Sequence, residues 1–368
     1  MFSLLQVGSA QAAPNGIAAP STPATSVDRT ARAEQPFTLG TFDDCQTVEA
    51  KIKNRTTGVK GNVACIFQQS LKERSTPGGV VQVPEWCAPN KVILTRKEAC
   101  GMGRFGIRII NNETNVTTGG MDVNQLGYMF TNRDLIDWQY QATQTFTNIW
   151  GTAIGTTVIG SGSCTGDCVA SSQSWPAMIA TQEALWEGYV VGESTTYQPG
   201  QIGSGVLDAQ TTFTNPVWTR PISNSGPTPA VRCDNLLAGL PAGCVLPTVT
   251  PEMFYELSGP YPELALHVKE AQAKGLPGVL GGTPLTRTTD KVTQDRNNAV
   301  ACPASLPRPP GTDCDEYPFR STWEGAAFGP YDIKMIDSTQ NQAGGNALQQ
   351  FYYEERVLSH DPFWVTVV

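Results

Sequence analysis

The stretch "GTDCDEYPFRSTWEG" (residues 311–325) sets two adjacent acids, Asp315 and Glu316, directly after a cysteine, with a third acid, Glu324, eight residues past the pair. Tyr317, Pro318, Phe319 and Trp323 surround them, and these side chains favour burial over a solvated turn. Carboxylates among aromatics need a counter-charge. A Lys or Arg supplies one, and so does a hard divalent cation bound through oxygen ligands. The alternative reading is a solvated acidic turn. The Tyr-Pro step restricts the backbone on one side of the pair, and the cysteine can brace it on the other.

Cys314 is the last of ten cysteines, after Cys45, Cys65, Cys87, Cys100, Cys164, Cys168, Cys233, Cys244 and Cys302. Their even number and short gaps suit five loops closed by consecutive pairs, although spacing does not fix connectivity. Zinc is the competing use, and "CTGDC" (164–168) has the spacing of half a zinc knuckle. No second half with His or Cys at matching spacing follows, so disulfides are the favoured reading. The N-terminus, "MFSLLQVGSAQAAPNG", has a short apolar run and then Ala-Gln-Ala. It reads as a signal peptide over residues 1–12 whose start is truncated or misassigned, since the basic n-region is missing. No later apolar run reaches the roughly 18 residues of a membrane span. A secreted, extracellular chain is expected.

Apolar residues make up 40% of the chain, enough for a core, and 36 glycines with 27 prolines imply many turns between short elements. Residues 13–36 read as a flexible leader. Residues 37–220 read as a mainly β domain, an antiparallel sandwich or barrel, with strand-like stretches such as "KVILTRKE" and "RFGIRII" between turn clusters. Residues 221–257 read as a Pro/Gly-rich linker, and residues 258–368 as a small α+β domain. Within the latter, "YPELALHVKEAQAKG" (261–275) has helical periodicity, with Pro262 in its first turn and Gly275 at its stop. "YDIKMID" and "DPFWVTVV" read as strands around a helix, "NALQQFYYEERVL". The net charge of −8 argues against a stoichiometric nucleic-acid binder. It leaves room for a hydrolase whose bound cation neutralises part of that acidity.

The chain has two histidines, His267 and His360, and neither stands beside a nucleophile motif. His360 reads as a polar turn residue. His267 follows Glu263 by one helical turn, so that Glu263 can orient its imidazole; the alternative is a hydrogen-bonded, half-buried histidine. "NQAGG" (341–345) reads as a Gly-rich helix entry whose free N–H groups receive phosphate oxygens, with the Asn341 amide oxygen able to ligate a cation. The same residues also suit an ordinary turn.

Four segments, "YPELALHVKEAQ", "RNNAVACP", "RPPGTDCDEYPF…TWEGA" and "NQAGG…FYYEERVLSHDPFWV", occur in the order and approximate spacing of the secreted bacterial NucA/NucB deoxyribonuclease domain. Residues 258–368 resemble that domain. Upstream, "GSCTGDC" and "RCDN…GCVLP" resemble the β-rich region found before it in larger secreted members. The resemblance implies a metal-dependent endonuclease that cuts DNA with little sequence specificity and has a ββα-metal-like core. Asp315 and Glu316 match the family's acidic pair, Glu324 its downstream Glu, His267 its helical His, and Asn341 its Asn before the glycines. One Mg²⁺ or Mn²⁺ would then be held by a subset of Asp315, Glu316, Glu324 and Asn341, with His267 taking the proton from the attacking water. Arg287, Lys291, Arg296, Arg308 and Lys334 would contact the phosphate backbone, and Tyr317 or Trp323 a sugar or base. Relatives often have Ala where this chain has Arg320, and an acid and an Arg where it has Gln340 and Gln342. Phosphate positioning would then fall to Arg320. Two other readings stand beside this one. One is an extracellular β-sandwich binding or surface-attachment protein with an unknown ligand and a degenerate nuclease-like tail. The other is a nuclease toxin, which implies an immunity or inhibitor protein as partner.

Overall fold

The computed structural model describes residues 32–40, 42–54, 58, 60–71, 83–226 and 228–368. The expected signal peptide lies outside the described residues, as does all of the expected leader before residue 32. The first part of the chain runs β1 (Ala33–Pro36), α1 (Cys45–Lys53), β2 (Asn62–Gln69), β3 (Lys91–Leu94), β4 (Glu98–Asn111), β5 (Val116–Thr131), β6 (Asp137–Gly151) and β7 (Thr157–Gly166). It continues through β8 (Cys168–Ser174), β9 (Met178–Ile179), β10 (Leu185–Ser194), β11 (Ile202–Thr214), β12 (Ile222–Ser225), β13 (Val231–Asp234) and β14 (Gly243–Val245). The C-terminal part comprises β15 (Glu252–Tyr255), α2 (Pro262–Ala273), β16 (Leu285–Thr286), α3 (Lys291–Ala301), β17 (Thr312–Tyr317), β18 (Asp332–Asp337), α4 (Ser338–Glu354) and β19 (Pro362–Val367).

The first fourteen strands form two antiparallel sheets. One has the order β1-β3-β4-β5-β6-β10-β8 with β2 also on β4, and the other the order β14-β13-β11-β7-β9 with β12 also on β11. Alternation builds the space between them. In β10, Trp186, Gly188, Val190, Gly192 and Ser194 are buried while their neighbours are half-exposed, so one face of the strand turns inward. Phe213 of β11 meets Phe105 of β4 edge to face, with ring centroids 6.0 Å apart, in a core drawn from both sheets. The expected β-rich domain is therefore a sandwich.

Two boundaries differ from expectation. Residues 33–36, read as leader, form β1 and pair with β3. Residues 221–257, read as a linker, supply β12, β13 and β14 to the second sheet and β15 to the C-terminal part. These strands have three or four residues each, too few for a hydrophobic period to reveal them. The ten cysteines close five disulfides between consecutive members, 45–65, 87–100, 164–168, 233–244 and 302–314. Among the described residues, no helix is long and apolar enough to cross a membrane.

In the C-terminal part, β19 lies between β15, to which it is parallel, and β16, to which it is antiparallel. The β17–β18 hairpin and helices α2 and α4 pack beside it around Tyr255, Leu264, Val268, Tyr317, Phe351 and Val365. Helix α4 begins at Ser338, capped by Asp337 on the amides of Thr339 and Gln340, a full two turns before the expected start. "NQAGG" is thus helix interior, not a helix entry. Gly344 is needed for packing: a Cβ there would stand 2.4 Å from Leu264 Cδ1 on α2. Helix α3, capped by Asp290, was not anticipated from the sequence.

Buried arginines join the two parts. Arg232 of β13 forms a two-pronged contact with Asp361, at 2.6 and 2.9 Å, and Arg96 reaches the same carboxylate at 3.1 Å. In the opposite direction, Arg356 grips Asp234 through Nη2 at 2.6 Å and Nε at 3.1 Å, with both side chains fully buried.

Candidate active site

Successive residues of a strand point to opposite faces, so the Asp315–Glu316 pair is divided between the two sides of the hairpin. Asp315 faces α2, where its Oδ2 lies 2.6 Å from Nδ1 of His267. Glu316 faces α3, where its Oε2 lies 3.5 Å from Sγ of Cys302, the cysteine that ties α3 to β17 through Cys314. Their environments differ accordingly. Burial raises the Asp315 carboxyl, against the opposing hydrogen bond and charge of His267. Burial, and after it the charge of Asp315, pushes Glu316 up to about 7, against the pull of Arg320. A half-buried carboxyl titrating there exchanges a proton at neutral pH.

His267 is about 1% exposed. Its Nε2 is shielded from solvent without a hydrogen-bond partner, and Asp332 Oδ2 stands 3.8 Å away. A water arriving from solvent does not meet this nitrogen. The expected orienting residue, Glu263, plays a different part: its Oε2 accepts from the backbone N–H of Asp337, at the start of α4. Asp315 holds the imidazole instead. This pairing joins residues 48 apart in sequence and was not legible in a helical turn.

The segment after β17, which starts with a cis Tyr317–Pro318 bond, is fixed by a residue that sequence reasoning passed over. Asn297 of α3 is fully buried. Its Nδ2 donates to the carbonyls of Arg320 and Thr322, at 3.0 and 2.9 Å, and its Oδ1 accepts from Ala327 N–H at 3.1 Å. Gly325 makes room, since a Cβ there would come within 2.2 Å of the Asn297 amide. The sequence "RNNAVACP" gave no clear signal for it, because the buried face of α3 is Thr293, Asn297 and Ala301 while Val292 and Val300 are exposed. This loop carries Arg320, Trp323 and Glu324. Glu324 is half-buried, and its Oε2 accepts from Thr286 N–H at 2.8 Å.

Asn341 lies in the second turn of α4, with its amide 3.4 Å from the Cys314 carbonyl. Asp315, Glu316, Glu324 and Asn341 offer the oxygen donors that Mg²⁺ or Mn²⁺ takes. They do not form a ready cage. Among the described residues, no three His, Cys, Asp or Glu side chains gather where a metal ion could be held. A Mg²⁺ ion commonly uses one or two carboxylates with water and substrate phosphate, and needs no such cage.

The expected phosphate contacts separate into two groups. Arg287 is buried, its guanidinium 4.4 Å over the Tyr352 ring and donating to the Val357 carbonyl, so it is not available to a phosphate. Tyr317 is buried too, its hydroxyl donating to the Pro277 carbonyl at 2.6 Å, which removes it as a base or sugar contact. Arg320 is partly exposed and paired with Asp295 at 2.5 Å. Lys334 pairs with Glu270 at 2.8 Å, Lys291 with Asp295 at 2.8 Å, and Arg308 caps the carbonyls of Cys302 and Leu306. Arg296 is exposed on α3.

Residues 281–366 match the family model described as Deoxyribonuclease NucA/NucB. The match begins before β16 and ends within β19, so it contains the divided acidic pair, Asn297, Arg320, Glu324 and Asn341 but not His267. No curated protein matches the chain.

Proposed function

We propose that the chain is a secreted, metal-dependent endonuclease that hydrolyses phosphodiester bonds of DNA with little sequence specificity. The observation that carries this reading is that the segment matched by the deoxyribonuclease model contains Glu316, a half-buried carboxyl titrating near 7 with Arg320 acting on it. Glu316 accepts the proton of the attacking water, a role that passes to it from His267 because the free nitrogen of His267 is sealed. Arg320, released from Asp295, meets a phosphate oxygen through its planar fork. The His267–Asp315 pair is a positioning element that fixes β17 against α2. Of the expected ligands Asp315, Glu316, Glu324 and Asn341, Glu316 is kept as the base, so a bound Mg²⁺ or Mn²⁺ would be held by a subset of the other three and would polarise the scissile phosphate. The ββα-metal-like core is part of this reading, supported by β17, β18 and α4 following one another and packing together. Five disulfides support an oxidising, extracellular setting.

Purified protein incubated with supercoiled plasmid and Mg²⁺ or Mn²⁺ is expected to nick and then linearise it, and EDTA to stop the reaction. Intact plasmid under every metal condition overturns the enzyme reading and favours a binding protein with a degenerate tail.

A further inference from the structure

Beside Glu324, three aromatic side chains from two distant segments form a partly open ledge. The Trp323 and His360 rings stack nearly parallel, with centroids 5.2 Å apart and planes at 20°. Phe328 adjoins Trp323 at 6.2 Å with its plane tilted by 60°, so it walls the stacked pair on one side; it is 52% exposed, and His360 is exposed. The ledge is held in place by backbone contacts. Trp323 N–H donates to the Thr286 carbonyl at 2.9 Å while Glu324 accepts from Thr286 N–H, so the ledge and the candidate carboxylate share one anchor residue. His360 N–H donates to the Arg287 carbonyl at 2.8 Å, and His360 adopts a left-handed φ of 72°. A non-glycine residue held there is costly unless its surroundings impose it, and such positions concentrate at functional sites. The indole Nε1–H of Trp323 is shielded from solvent with no acceptor among the described residues.

We infer that Trp323, His360 and Phe328 form a stacking subsite for an unpaired nucleobase of the substrate strand. The inference rests on the nuclease reading and extends it. Stacking on flat rings is tolerant of base identity, as a nonspecific nuclease requires, and it needs an unstacked base, because a closed duplex offers only base edges. Trp323 and Glu324 are consecutive residues anchored on the same Thr286, so a base on the ledge lies next to the candidate carboxylate. The enzyme therefore favours single strands, frayed ends and nicks over intact duplex.

The test is fluorescence anisotropy with a labelled, cleavage-resistant phosphorothioate oligothymidylate and with a duplex of the same length, using the full chain in EDTA. His360→Ala and Phe328→Ser change exposed side chains, and each is expected to weaken single-strand binding about tenfold while leaving duplex binding within about twofold. Trp323→Leu should weaken it more, with circular dichroism as the check on its fold. Unchanged single-strand affinity in both surface variants overturns the subsite, and so does an equal loss for duplex. The plasmid assay on wild-type protein is scored separately. A wild type that cuts plasmid while the variants bind normally overturns the ledge alone, whereas a wild type that neither cuts nor binds DNA overturns the nuclease reading beneath it.

Discussion

His267 Nδ1 and Asp315 Oδ2 lie 2.6 Å apart inside the C-terminal part, and this contact ties helix α2 to strand β17. Both side chains are nearly inaccessible, so removing one strands the other in a low-dielectric interior. Breaking such a pair costs about 3–5 kcal/mol. His267→Ala is therefore expected to lower the thermal midpoint sharply. The fraction that stays folded should retain activity within about tenfold, whereas loss of a general base costs about 10²-fold or more. Calorimetry and plasmid nicking on the same sample separate the two roles. A rate loss of that size at an unchanged midpoint would return the base assignment to His267.

Glu316 gives a dependence on pH whose sign can be worked out. Its carboxyl is raised from 4.5 to about 7 by burial and by the charge of Asp315. Between those values the folded chain keeps a proton that the unfolded chain has released, so this group makes stability fall as pH rises, until about 7, above which the effect is constant. Glu316→Gln stays neutral throughout. In metal-free buffer its unfolding midpoint should exceed the wild type's above pH about 7 and converge with it below about 4.5. Midpoints that track each other at every pH would contradict the buried-carboxyl account. The same variant should lose nicking activity by orders of magnitude.

Asn297 and Gly325 test the scaffold of the site. Asn297→Ala leaves two carbonyls and one N–H of the 320–327 loop without their partner, and each buried unpaired group costs about 1–3 kcal/mol. Gly325→Ala forces the same amide aside, at about 1–3 kcal/mol. Both should reduce activity by displacing Arg320 and Glu324. Because the two changes act on one contact, their combined cost should be less than the sum, which a double-mutant cycle measures.

Arg232 and Arg356 weld the sandwich to the C-terminal part, each through a two-pronged contact with an aspartate across the boundary. The full chain should therefore unfold in a single calorimetric transition. Arg356→Met leaves the fully buried Asp234 without its closest counter-charge, and should lower that transition as a whole by about 3 kcal/mol or more. Two separate transitions in the wild type would show that the parts melt independently.

The sequence alone determined the β-rich character of the first part, the pairing of consecutive cysteines as its favoured framework, and, in the C-terminal part, the α2 helix and strands β18 and β19 but not β15, β16 or β17. Turn residues, short loops between thiols and a continuous 3.6-residue period are local signals, and each can be read within a dozen or so residues. It also singled out the acids of "GTDCDEYPFRSTWEG". What it could not supply was their direction. Asp315 and Glu316 are neighbours in the chain, but a strand sends consecutive side chains to opposite faces, so only packing decides which helix each one meets. The tertiary structure buried Asp315 on His267, left Glu316 half open beside a disulfide, sank Arg287 under Tyr352 and drew the supposed linker into the sandwich. Short strands and buried charges are stabilised by partners tens to hundreds of residues away, and no local period records those partners.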